Sequence, residues 1–318
     1  MKYRKLGKTG LKVSLMGYGS GGHSLLGQNA GMSFSDQNRL IRRCVDLGIN
    51  FFDTSSIYRE SEVILGKALK YLRRESYIMA TKWWHRASGQ LAPDGAPLER
   101  SVEDSLRRLQ TDYIDIIQIH GLHVDDYQEA VKRFYPTLRR LQEAGKVKFI
   151  GFSEVYPGGA DPKQQTTALA LKSHPDLWDT IMIKYGIINQ YAAKEALPLA
   201  RELDVGILNM AAVRLQLTRP NMLEELIADW KRRGLIPSDS IPDTNPLGWL
   251  VHDRVDSLVS AGYKFGASHP AVSTVLTGTA NIVHLEKNAA ALEEPNLPHA
   301  DHQRLVELFG DIGENEGE

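Results

Sequence analysis

A single cysteine, Cys44, stands in a sequence of 318 residues. One thiol cannot close an internal disulfide or furnish a multi-cysteine metal site, so a disulfide scaffold is excluded. Excess charge of either sign is also missing. Thirty-eight Lys and Arg face 39 Asp and Glu, for a formal net charge of −1, and that balance offers no footprint for nucleic acid or an anionic membrane. No stretch approaches the roughly 18 consecutive apolar residues that a spanning helix needs. The charged start Met1-Lys2-Tyr3-Arg4-Lys5 is not followed by an apolar secretory core. With 42% hydrophobic and 24% charged residues, disorder, a collagen-like fibre and a coiled coil are excluded as well. A cytoplasmic protein is expected, a monomer or small homo-oligomer, with a small molecule as partner and neither nucleic acid nor membrane.

What is present is alternation. Short, nearly continuous apolar runs at 13–20, 50–54, 77–82, 113–120, 147–153, 180–185, 206–210 and 272–278 are separated by segments of helical period. Unbroken apolar runs suit strands buried on both faces, as in a parallel sheet covered by helices. Ser35 is the expected N-cap of the first helix and Gly48 its stop. Pro97 and Pro162 sit in first-turn positions of later helices. Eight such units without a composition break predict one domain over 1–318, a (β/α)8 TIM barrel. A doubly wound open sheet satisfies the same periodicity, because closure leaves no mark on the pattern. Residues 3–13, turning at Lys8-Thr9-Gly10, predict a β-hairpin outside the barrel. A long insertion, 214–266, follows the seventh strand, with helices expected at 222–233 and 251–265. Ordered insertions of this kind serve a site more often than a linker. The tail 313–318 has nothing to anchor it, and Cys44 falls on an apolar helix face.

In such a barrel the carboxyl ends of the strands share one mouth. Asp53, Lys82 and His120 fall at three of those ends, and Tyr58 lies on the loop beyond Asp53. A free phenol with a pKa of about 10 exchanges protons poorly at neutral pH, and a nearby ammonium favours the phenolate. Asp53 would hold Lys82 charged and oriented, and His120 would hydrogen-bond a substrate oxygen. Each residue alone has a plainer reading: a turn cap for Asp53, a rim position for Lys82, packing for Tyr58, a satisfied core histidine for His120. Coincidence at one mouth argues against all four being plain. No activated serine or cysteine accompanies them, so acyl transfer is not expected.

The stretch from Asn50 to Leu69, Asn-Phe-Phe-Asp-Thr-Ser-Ser-Ile-Tyr-Arg-Glu-Ser-Glu-Val-Ile-Leu-Gly-Lys-Ala-Leu, resembles the aldo-keto reductase signature. Thr81-Lys82, the run ending at His120, the Lys8-Thr9-Gly10 turn, the segment 145–153 and the Gly278 region are similar to further blocks of that family. The resemblance, covering roughly 3–295, implies an NAD(P)-dependent enzyme interconverting a carbonyl (aldehyde, ketone or sugar) and an alcohol. It implies Tyr58 as general acid and base, Asp53 and Lys82 tuning it, and His120 orienting the carbonyl. Arg59 stands where the family often has glycine.

The resemblance also implies cofactor contacts, and here the sequence departs from the family. Glu154 follows Ser153 where asparagine is usual, and Met182 replaces a glutamine three residues before Tyr185, the expected ring-stacking residue. Ala211-Ala212-Val213-Arg214 replaces a serine-proline-leucine turn, with Arg214 available to a pyrophosphate or to an acid of the insertion. The first loop contributes Gly19 and Ser20, and the last strand end Thr277, Gly278, Thr279 and Asn281. His284 stands where NADP-preferring members often carry arginine, beside Lys287, and Asn288 would meet adenine. NADP and NAD both remain open. Gly17-Tyr18-Gly19-Ser20-Gly21-Gly22 fits GxGxxG, but no helix opens there and no acid follows about 20 residues on, so a Rossmann fingerprint is rejected. His23 and Trp83, together with Trp84 and His85, are candidates for the substrate pocket. His120 and His123 form an HxxH without further ligands, so no metal is expected. Two alternatives stand: a cofactor-binding regulatory subunit of the same fold with little turnover, and a metal-dependent barrel hydrolase.

Overall fold

Parallel strands cannot be joined by a tight turn and need a crossover, usually a helix, between them. The computed structural model, which describes residues 1–155, 161 and 163–314, has that arrangement. Its barrel strands are β1 (Met16–Gly19), β2 (Phe51–Asp53), β3 (Ile78–Trp84), β4 (Ile114–Leu122), β5 (Val147–Glu154), β6 (Thr180–Lys184), β7 (Gly206–Met210) and β8 (Val272–Thr277). They bond in sequence order, and the pairings of β8 with β1 and of β5 with β6 close the ring. Closure removes every edge and decides for the TIM barrel over the open sheet. The crossovers carry α1 (Phe34–Asp46), α2 (Ser61–Leu69), α3 (Ala96–Leu109), α4 (Tyr127–Glu143), α5 (Gln165–Ser173) and α6 (Ala196–Glu202). None of the described helices is long and apolar enough to cross a membrane.

The run 13–20 is two strands, not one. Lys12–Ser14 pairs antiparallel with Tyr3–Lys5 in the expected hairpin, and β1 begins only after Leu15. The hairpin turns through Gly10 at φ 72°, a left-handed conformation that glycine adopts without strain. Leu6 and Val13 pack on the inward-facing Phe51, Ile78, Ala80, Ile116, Met182 and Leu208, so the hairpin plugs one end of the barrel and leaves the other as the mouth.

Ser33, not Ser35, caps α1. Its hydroxyl oxygen accepts from Asp36 N at 3.2 Å and its O–H donates to the Asp36 carboxylate at 2.8 Å, a reciprocal arrangement that Ser35 lacks an acid to make. Pro97 lies in the first turn of α3 as expected. Pro162 and residues 315–318 of the tail lie outside the described residues. Cys44 is fully buried among core residues.

Three α-helices lie in the insertion, α7 (Leu215–Thr218), α8 (Pro220–Arg232) and α9 (Leu258–Ser268), with a 3-10 turn at Gly248–Leu250 before the last. The last begins seven residues later than the apolar pattern suggests. Ser257 is its cap, accepting from Ser260 N at 3.1 Å, while Val255 is buried without being helical. After β8 come α10 (Ile282–Ala291) and α11 (His299–Phe309).

Candidate active site

Strand alternation decides which side chains enter the mouth. On β3, Ile78 and Ala80 pack inward, whereas Thr81 bonds Glu62 of α2 and Trp83 meets Phe134 of α4, ring centroids 4.9 Å apart. Lys82 therefore points inward. Its ammonium lies 2.5 Å from Asp53 Oδ2 and donates to Thr54 O at 2.8 Å. Gln118 of β4 donates to the other Asp53 oxygen at 3.4 Å. Both charges are buried, 2% and 4% exposed, so each is costly alone and the pair is mutually required. Burial works against the Lys82 charge, but Asp53 and then the Tyr58 oxygen more than offset it, and the ammonium ends above its usual pKa. Burial raises the Asp53 carboxyl, and the ion pair pulls it back only in part.

Tyr58 is placed by the turn leaving β2, where its N–H donates to Ser55 O at 3.0 Å and its carbonyl accepts from Ser61 N at 3.0 Å. Its hydroxyl lies 3.4 Å from His120 Nε2, with the two rings edge to face at 82°. Lys82 Nζ is 5.2 Å from the phenol centroid. Gly21 makes room for this ring: a Cβ there would stand 2.6 Å from the Tyr58 ring carbons. Burial first, and then the Lys82 ammonium, hold His120 well below its usual pKa, so its imidazole is neutral at pH 7. Arg59 takes φ 48°, the region that glycine favours, and is exposed outside the cleft lining.

These groups open on a cleft of about 1160 Å³ that runs from Asp53, Tyr58, Lys82 and His120 past Met210 to Lys287 and Asn288, larger than the roughly 300–1,000 Å³ of pockets for one drug-sized ligand. Of the remaining sequence-expected residues, Gly19, His23, Ser153, Glu154, Met182, Ala211, Arg214, Thr277, Gly278, Thr279, His284 and Asn288 line it. Five do not. Trp83 faces α4 and is 5% exposed, while Trp84, two residues from Lys82 and on its face, is 42% exposed in the cleft. Tyr185 is out of phase in the same way: it follows inward Met182 by three residues and packs on Phe265 and His269 of the outer layer. Ser20, the first residue after β1, is fully buried, its N–H donating to Asp53 O at 2.8 Å. Asn281 caps α10, accepting from Val283 N and His284 N at 2.8 and 3.3 Å. His85 is fully buried, its Nδ1 2.9 Å from the His120 carbonyl oxygen.

Sequence reasoning missed Met210, the α7 residues Leu215, Gln216, Leu217 and Thr218, and Ser257, Leu258 and Tyr263 of the α9 region, all of which line the cleft. The length of the insertion signalled their involvement, but no periodicity singles them out. Gln216 is the telling one: its Oε1 is buried and has no hydrogen-bond partner among the described residues. Also among the described residues, no three His, Cys, Asp or Glu side chains are grouped to hold a metal ion.

Glu154 is buried, and burial pushes its carboxyl up to about 7 despite Lys184, whose Nζ is 4.0 Å away. Its oxygens accept from Thr167 Oγ1 at 2.6 Å and from Lys184 N at 3.2 Å. A carboxyl whose folded pKa exceeds its unfolded value gives stability that is present at low pH and lost as pH rises between the two. Relative to Glu154→Gln, the native protein is expected to lose about 3 kcal/mol of unfolding free energy between about pH 4.5 and 7. Urea titrations of both proteins across that range measure the difference, and a flat difference removes the raised carboxyl.

The model of the Aldo/keto reductase family matches residues 17–309. Among curated proteins, the chain is 29% identical to L-galactose dehydrogenase of Arabidopsis thaliana, over 97% of this chain and 93% of that one. It is 26% identical to the uncharacterized oxidoreductase YqkF of Bacillus subtilis, over 96% and 95%. Among solved structures, the holo form of the aldo-keto reductase AKR11C1 from Bacillus halodurans superposes with a TM-score of 0.72 at 27% identity, covering 97% of this chain and 96% of that one.

Proposed function

The chain belongs to the aldo/keto reductase family, and from that premise we propose that it interconverts a carbonyl and an alcohol with NAD(P), Tyr58 donating and accepting the proton. One observation carries this reading. A phenol, a neutral imidazole and a buried ammonium–carboxylate pair share one wall of a single deep cleft.

The cleft fits a dinucleotide on its own terms. Gly19, Gly21 and Gly22 present bare backbone to it, and the unpartnered Gln216 Oε1 needs a donor that a ligand can bring. The bound nicotinamide supplies or takes the hydride. Ser153, Glu154, Met182 and Ala211 would face the nicotinamide end, and Arg214 the pyrophosphate. Thr277, Gly278, Thr279, His284 and Asn288 would hold the adenosine end. At the reacting carbonyl, His120 orients the oxygen and Tyr58 gives it a proton. The Lys82 ammonium stabilises the phenolate left behind, and Asp53 keeps Lys82 charged and aimed. Trp84 and His23 at the mouth suit a polar ring compound, and a sugar is the substrate class we favour, in keeping with the sugar in the name of the plant relative.

Glu154 and Met182 give weight to a second reading, a cofactor-binding regulatory subunit with little turnover. The Glu154 oxygens are engaged by Thr167 and Lys184, and Met182 offers no amide to a carboxamide. Nicotinamide absorbance on a panel of aldehydes and sugars, with NADH and NADPH, separates the two. Turnover supports the enzyme; tight cofactor binding without turnover selects the regulatory subunit.

Lys287 is exposed at the adenosine end of the cleft beside His284. A cation there favours a cofactor carrying the additional 2′-phosphate. Lys287→Ala is expected to weaken NADPH binding about tenfold more than NADH binding. Fluorescence titration with both cofactors measures the ratio, and equal losses would move Lys287 away from that phosphate.

A further inference from the structure

Ser55 is fully buried beside the His120 ring, on the nitrogen that Tyr58 does not meet. Its oxygen lies 3.0 Å from His120 Nδ1, 3.3 Å from the Lys82 carbonyl oxygen and 3.4 Å from Ile57 N. The Ile57 N–H can only donate, so the one hydroxyl proton goes either to Lys82 O or to Nδ1. A carbonyl oxygen has two lone pairs. Those of Lys82 are already claimed by Ser56 N at 3.1 Å and Ser56 Oγ at 3.0 Å, both shorter than the bond Ser55 could make.

We propose that Ser55 donates to His120 Nδ1 and so fixes His120 as its Nε2–H tautomer, a donor aimed at Tyr58 and the reacting oxygen. Ser55 is thus a positioning residue. A ring with a protonated Nε2 has no lone pair facing Tyr58 and cannot take its proton. It can donate to the phenol oxygen, and to the carbonyl oxygen when substrate arrives. Proton exchange then stays with Tyr58, and orientation with His120. The catalytic consequence rests on the carbonyl-reductase reading; the tautomer does not.

The test is long-range nitrogen–proton NMR of labelled, ligand-free protein, with the His120 ring signals identified by their loss in His120→Gln. Expected are a protonated Nε2 and a bare Nδ1 in the native protein, and a shift towards the Nδ1–H form in Ser55→Ala. In the same variant kcat should fall about tenfold, the loss of one hydrogen bond's orientation, with KM changing much less. A native Nδ1–H form, or an unchanged tautomer in Ser55→Ala, overturns the inference whether or not the protein turns over. A shifted tautomer with unchanged kcat overturns the positioning role. The expected tautomers without turnover in the native protein would leave the Ser55–His120 assignment standing while the carbonyl-reductase reading fails.

Discussion

Tyr58→Phe is expected to lower kcat for carbonyl reduction by about 10²–10⁴-fold, the usual contribution of a positioned general acid, while changing KM far less. The phenyl ring keeps the place that Gly21 leaves for it and its edge contact with His120, so the fold and the cleft persist. What disappears is one hydroxyl, 3.4 Å from His120 Nε2, with the Lys82 ammonium behind the ring. Cofactor affinity, read by fluorescence, should stay near the native value, because the substitution removes no group from the adenosine end. If Tyr58→Phe kept more than about a tenth of the native rate, the loss would be below what general acid catalysis contributes, and the proton would have to come from elsewhere. His120, neutral at pH 7, is a poor substitute, and Lys82 is held by Asp53 and Thr54.

How far the sequence alone reaches is clearest at the residues just past Lys82. Run boundaries are legible because apolar continuity ends where a strand leaves the barrel: 206–210 matches β7 at both ends. Strand ends then locate Asp53, Lys82 and His120, since the carboxyl ends of a parallel barrel must converge. Phase is the weak point. Trp83 and Trp84 are chemically identical, and only counting by two from inward Lys82 assigns Trp84 to the cleft and Trp83 to Phe134. The same count turns Tyr185 outward towards Phe265. A step of one residue exchanges core for site, and side-chain type cannot correct it. Other features depend on partners distant in sequence and have no local signal. Ser55 looks like any turn serine until His120, 65 residues on, arrives at its oxygen. Gln216 lines the cleft because the insertion folds back over the mouth, and a long loop announces that such residues exist without saying which they are.

Asp53→Asn should do its damage twice, to stability and to rate. Removing one member of a buried ion pair leaves the other uncompensated, at about 3–5 kcal/mol, or an apparent Tm lowered by about 4–8 °C for a chain of this length. Lys82 escapes part of that cost by releasing its proton. Without Asp53, burial, the largest influence on the lysine, is opposed only by Tyr58 and Glu62 and is expected to bring its pKa below the unfolded value, so the native state binds fewer protons and stability rises with pH. The deficit of Asp53→Asn against native protein is therefore expected to be larger at pH 6 than at pH 9. The native lysine behaves oppositely: with its pKa raised, its contribution is full below the usual lysine value and is lost as pH rises from there through the raised one. Replacing both members, as in Asp53→Leu with Lys82→Met, removes both buried charges and should recover most of the lost stability. It should recover none of the rate, since the phenolate of Tyr58 then has no cation beside it. Melting curves at the two pH values, paired with turnover of the single and double variants, separate these effects. An Asp53→Asn protein as stable as the native one at pH 6 would mean that Lys82 is uncharged in the folded state, and the electrostatic support assigned to it behind Tyr58 would fail with it.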